Sequence, residues 1–215
     1  MQSLRITLSR GEDVKYISHL DLMRLWERAL RRAAIPIAYS QGFSPHPKLS
    51  LAAPLPIGVT SGGELMDIVL RRRVSPYFFI KVVSQQLPPG IDISGVEQVS
   101  LTLPSLQSQM RQAEYRVGVE TEMRPEEVEG ALNSFLAREH LPWQHRRDRE
   151  VRHYDLRSLV DSLWIEGWGQ SWCTLGMRLR SDSSATGRPE QVVAALGFPQ
   201  PPLSIHRTRL ILGGR

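Results

Sequence analysis

A single cysteine, Cys173, in 215 residues excludes an internal disulfide and any CxxC zinc or redox motif. It also excludes an iron–sulfur cluster ligated by this chain alone, because such a cluster takes several thiolates. So few thiols fit the cytosol, and a cytoplasmic protein is expected. Long apolar runs are missing too. None approaches the roughly 20 residues that a membrane-spanning helix takes, so no membrane association is expected. The opening segment, MQSLRITLSR, has no apolar core of the signal-peptide kind. Acid is in deficit, with 22 Asp and Glu against 27 Lys and Arg, and the pI is near 9.8. That balance favours an acidic partner such as RNA, and it equally describes a protein with a solvated basic face.

Apolar residues make up 41% of the chain, enough for a core that needs no disulfide or metal. Leu4 to Ser9 alternates as a strand, with Leu4, Ile6 and Leu8 on one face. Ser18 and Asp21 have capping-box spacing, and Leu22, Leu25, Trp26, Ala29 and Ala33 form the apolar stripe of a following helix. Pro36 ends it. Ile37 to Tyr39 begins a second strand, which a loop interrupts before Leu49 to Ala52 resumes it. Gly62-Gly63 reads as a turn before a third strand, Glu64 to Leu70. Ser75-Pro76 opens a second helix, and Ile91 to Leu103 is extended. The order β-α-β-β-α-β is the ferredoxin-like arrangement.

Pro104 to Gln112 reads as a polar linker. A second round then starts at Tyr115, with helices opening at Arg124-Pro125 and Arg188-Pro189 and strands at 143–145, 162–166, 172–180 and 204–212. The matching Arg-Pro-Glu-x-Val openings read either as a repeat or as good capping. The expected fold is α+β, two tandem ferredoxin-like (βαββαβ) halves with antiparallel sheets, spanning 1–103 and 113–215 about a linker at 104–112.

Functional chemistry concentrates in Tyr16-Ile17-Ser18-His19-Leu20-Asp21 and in residues 38–48, AYSQGFSPHPK. Prolines on both sides of His46 stiffen the backbone that presents its imidazole. Gly42 permits a positive φ or a close ligand approach. Gln41, Ser44, His46 and Lys48 supply polar groups suited to a phosphate or a base edge, while Tyr39 and Phe43 offer faces for stacking. Arg24 and Arg28, on the polar side of the first helix, are further phosphate contacts. His46, His19 and Asp21 are the candidate catalytic groups, and the βαββαβ order is expected to bring all three to one end of the sheet. Each has a plainer reading: Asp21 as a cap, His19 as a surface residue, Pro-His-Pro as a rigid turn. No metal is assigned, because three groups so far apart in sequence make a site only if folding gathers them. The mixed charges from Arg146 to Arg157 read as a solvated hairpin, and Arg71-Arg72-Arg73 as a basic strand end facing solvent. Trp164, Trp168 and Trp172, set among glycines, read as core and rim packing.

The run Tyr16 to Val59, YISHLDLMRLWERALRRAAIPIAYSQGFSPHPKLSLAAPLPIGV, resembles the signature of the DUF2344 family of radical SAM-linked proteins. The resemblance continues through Glu64 to Leu70 and, more loosely, at Asp155-Leu156-Arg157. It implies a module fused to, or encoded beside, a radical SAM protein with a cobalamin-binding domain, in an RNA or ribosome setting. It assigns no reaction. The function this implies is an accessory RNA-binding or substrate-presenting partner of that enzyme. On this reading the chain binds no cofactor, and the partner carries the iron–sulfur cluster, S-adenosylmethionine and cobalamin. Whether the chain is itself an enzyme is left open, leaning against activity on its own. The alternatives are a stand-alone RNA-processing or RNA-modifying enzyme using His46 or His19, and a protein-only adaptor.

Overall fold

Alternation in the first strand decides how the N-terminal unit packs. Leu4, Ile6 and Leu8 are wholly buried, and they meet Met66, Ile68 and Leu70 of the neighbouring strand and Leu22, Trp26 and Leu30 of the first helix. The computed structural model describes residues 1–147 and 150–213. It divides into two compact units, Met1–Met110 and Arg111–Arg215.

Unit 1 comprises β1 (Gln2–Arg10), α1 (His19–Arg32), β2 (Leu49–Leu51), β3 (Thr60–Leu70), α2 (Pro76–Ser84), β4 (Ile93–Val99) and α3 (Leu106–Gln109). Its strands lie in the order β4-β1-β3-β2, each neighbouring pair antiparallel. One face of this sheet carries α1 and α2, which bury Trp26, Phe79 and Val83 against it. The opposite face is polar, and there Arg5 makes two hydrogen bonds to Asp67 across β1 and β3 (2.8 and 2.9 Å).

Unit 2 begins with β5 (Met110–Glu120), which starts on the last residue of unit 1. It continues with α4 (Pro125–Leu136), β6 (Pro142–Arg147), β7 (Glu150–Asp155), β8 (Val160–Trp168), β9 (Trp172–Arg180), α5 (Pro189–Ala195) and β10 (Ser204–Leu212). Its strand order is β10-β5-β9-β8, with β6 and β7 forming a separate antiparallel hairpin. With that hairpin set aside, both units have the same order: last strand, first, third, second. The protein is thus a mixed α+β fold with a mostly antiparallel sheet arrangement.

Two expectations are corrected and a third gains detail. Gly62-Gly63 is not a turn but lies inside β3. There Leu8 pairs with Glu64 and Arg10 with Ser61, so the two glycines oppose Ser9 alone and mark a β-bulge. The stretch from Pro104 to Gln112, read as a linker, spans the boundary between the two units and carries α3. Ser105 caps α3, Leu106 is buried, and the Gln107 amide donates to Leu51 O at 2.7 Å. The single short strand expected at 143–145 is the first arm of a hairpin whose second arm is β7. Asp148 and Arg149 of the mixed-charge run, with the side chains of Arg146, Arg147 and Glu150, lie outside the described residues.

The two Arg-Pro openings prove to start α4 and α5, the two helices of one unit. They also differ in chemistry. Glu127 accepts from the Arg124 N–H at 2.7 Å, whereas Gln191, at the matching position, accepts from the Tyr154 hydroxyl. Cys173 is buried in β9, and burial pushes its thiol up to about 11. Trp164 and Trp172 lie flat over glycines: a Cβ on Gly176 would come within 2.0 Å of the Trp164 indole, and one on Gly169 within 2.3 Å of Trp172.

Candidate functional site

The two halves of the N-terminal motif have different jobs. In Tyr16–Asp21 the polar groups build the start of α1. The Ser18 hydroxyl accepts from the Asp21 N–H at 3.2 Å and donates to the Asp21 carboxylate at 2.7 Å. The Asp21 carboxylate in turn pairs with Arg24 at 3.5 Å. Arg10, only 1% exposed, reaches back from β1 to donate to the carbonyls of Val14 and Ile17, fixing the connection into the helix. His19 is the first residue of α1 and is exposed, and Arg28 is exposed one turn beyond Arg24.

Residues 38–48 form a loop pinched at its base. The Ala38 N–H donates to Val69 O, and Lys48 O accepts from the Val69 N–H, so both stems hang from one residue of β3. Above that, Tyr39 bridges Pro47, and the Lys48 N–H donates to Ala38 O at 2.8 Å. Ser40 and His46 close the neck twice. The Ser40 N–H donates to His46 O (2.8 Å), and the His46 N–H donates to the Ser40 hydroxyl (2.9 Å). The five residues from Gln41 to Pro45 then stand clear as an exposed tip. Gly42, at φ 131°, occupies a backbone region that favours glycine, and Phe43 is 105% exposed. His46 and Lys48 are exposed as well.

These two halves do not meet. The loop leaves the sheet beside Val69 and Leu70, where β3 pairs with Ser3 and Gln2. The segment leading to α1 leaves β1 at Arg10, the opposite end of that strand. Eight residues of extended chain, roughly 26 Å, separate the two ends. The expectation that His19 and Asp21 sit near His46 is therefore overturned. Unit 1 has the element order β-α-β-β-α-β, but its crossover helix returns the chain to the start of β1 before the loop is made. Among the described residues no three His, Cys, Asp or Glu side chains group as a metal site.

The loop has a basic neighbour in the arginine run that follows β3. The Arg71 N–H donates to Pro36 O, and the Arg71 guanidinium lies 5.6 Å from the centre of the Tyr39 ring. Arg71, Arg72 and Arg73 are all exposed. No Asp or Glu occurs from Arg28 to Gly63, nor from Ile68 to Ile91. The end of unit 1 that holds the loop thus combines His46, Lys48 and three arginines with aromatic rings and draws no carboxylate from either stretch. The signal available in advance was the acid-free interval on each side of β3. The pairing of Arg71 with Tyr39, 32 positions apart, was not available from spacing.

Comparison with solved structures gives a likeness of fold. A chain in the crystal structure of a Cbf5-Nop10-Gar1 complex superposes with TM-score 0.54 at 10% identity, over 96% of this chain and 48% of that one. A chain in the structure of an H/ACA RNP bound to a substrate RNA containing 2'-deoxyuridine gives 0.51 at 10% identity, over 96% and 47%. This chain spans about half the length of either. Comparison with curated proteins finds no match. A family profile matches residues 3–189, and the chain belongs to that family, described as "Uncharacterized protein conserved in bacteria (DUF2344)".

Proposed function

We propose that this chain is a cytoplasmic accessory protein that binds RNA and presents it to a cobalamin-type radical SAM enzyme for RNA- or ribosome-related modification. In this reading its two units are tandem ferredoxin-like halves. The strand order that the two units share supports that description.

The observation that carries the reading is the basic end of unit 1, built from two stretches that hold no Asp or Glu. There Arg71 stacks on Tyr39, and Lys48 and His46 stand on a stapled loop whose tip offers Phe43. Cations there neutralise phosphates whatever the sequence, and rings beside them stack bases. The radical SAM partner follows from the resemblance of the Tyr16–Val59 run. Radical chemistry of that class needs an iron–sulfur cluster, and these 215 residues with one cysteine leave the cluster to a fused domain or a separate protein.

The test is a titration of the purified protein with total small RNA at several salt concentrations, wild type against a His46→Ala, Lys48→Ala variant. Binding at micromolar or tighter affinity, weakening with salt and reduced in the variant, is expected. An absence of binding at low salt overturns the RNA reading and leaves the protein-only adaptor, for which salt-insensitive association with the radical SAM protein is the measurement.

A further inference from the structure

Tyr77 and Phe78, on the first turn of α2, are 78% and 51% exposed, whereas Phe79 beside them is wholly buried. Two adjacent aromatic rings left in water are an expense that the core does not require. Their position is fixed by Gln2. Its side-chain amide donates to Val74 O (3.1 Å) and accepts from the Val74 N–H (2.8 Å), which ties the approach to α2 onto the first residue of β1. Gln2 pairs with Leu70, and Leu70 bridges Ile37 at the root of the loop. The start of α2 and the stapled loop therefore flank the same end of the sheet, with Arg71, Arg72 and Arg73 in the chain between them.

Resting on the RNA reading above, we propose that this end of unit 1 takes an unpaired RNA strand. Its phosphates are met by Arg71–Arg73 and its bases are stacked at two places, Phe43 on the loop and Tyr77 with Phe78 on α2. An A-form duplex keeps its base faces stacked within the helix and offers side chains only sugars, phosphates and a shallow groove, so free rings gain nothing from it. An unpaired strand presents both partners that this surface supplies: charge along the backbone and a π-face on every base. A protein partner fits less well. The positive charge of this surface is offset by no Asp or Glu within Arg28–Gly63 or Ile68–Ile91, which suits a polyanion better than a protein surface of mixed charge. α2 itself has no acid in its first turn to repel a phosphate.

The experiment uses the full chain and fluorescence anisotropy with a labelled single-stranded RNA of mixed sequence and the blunt duplex of that same sequence. Wild type is compared with a Tyr77→Ala, Phe78→Ala double variant. A second variant, Phe43→Ala, removes a ring that has no packing to lose. The single strand is expected to bind at least about ten-fold more tightly than the duplex. Each ring variant is expected to lose about ten-fold on the single strand, and little on the duplex, with its salt dependence unchanged. Equal affinity for both forms, with neither ring variant affected, overturns this inference and leaves the RNA reading intact. No binding to either form overturns both.

Discussion

Ser18 and His46 show how differently two residues of one motif are used. Ser18 satisfies an otherwise orphaned N–H at the head of α1, and Asp21 answers it from three positions on, so that half of the motif is legible from spacing alone. Replacing Ser18 with alanine is expected to cost about 1 kcal/mol of stability. A urea melt will measure that loss, and RNA affinity is expected to stay unchanged, since the cap lies at the far end of β1 from the loop. A fall in affinity with unchanged stability would assign Tyr16–Asp21 to the binding surface after all. For His46 the sequence showed a stiff presentation between two prolines. It did not show that the Ser40 hydroxyl holds the His46 backbone, because that bond depends on how the loop folds back on itself.

Among the secondary-structure elements, the helices were the most legible. Cap-and-proline chemistry located the starts of α1, α2, α4 and α5, because those signals act within one turn of chain. Strand limits were less so. Gly62-Gly63 is the same dipeptide in a turn or a bulge, and only the partner strand decides which. Pairing across strands also builds an ionic cluster in unit 2. Glu114 of β5 accepts from Arg209 of β10 at 2.5 and 2.9 Å, and from Arg178 of β9 at 2.6 Å.

The hydrogen bond from Arg209, with that from Arg178, holds the Glu114 carboxyl below the usual carboxylate range even though burial opposes it. The folded state therefore binds this proton less tightly than the unfolded chain does. The stabilisation is fully present above about pH 4.3, the ordinary glutamate value, and is lost as pH falls through the depressed folded value. Glu114→Gln is expected to lower the urea midpoint at pH 7 by an amount worth about 1–2 kcal/mol. The difference from wild type should shrink at pH 3. A gap as wide at pH 3 as at pH 7 would show that the carboxylate's charge is not what matters.

For the whole molecule, charge is divided unevenly. Residues 1–110 hold 12 lysines and arginines against 8 acids, and the remainder 15 against 14. Nearly all of the positive excess thus belongs to the unit that carries the loop. Electrolyte dependence should follow that division. Changing Arg71, Arg72 and Arg73 together to alanine is expected to flatten the slope of log affinity against log salt by about 2, at roughly 0.7 per phosphate released on a single strand. Charge reversal of Arg146 and Arg147 in the β6–β7 hairpin serves as the control, and a larger change there would move the site to unit 2. Composition foretold the basic excess, but the chain's reversal through α1, which sends His19 and His46 to opposite ends of one strand, is a property of topology. The stapled neck of residues 38–48 has a last consequence, one of timing. A tip already closed by Ser40 and His46 has little ordering left to undergo when a ligand arrives. Association should therefore run in one step, its rate proportional to ligand concentration without a plateau, and differences among ligands should appear in how long each stays.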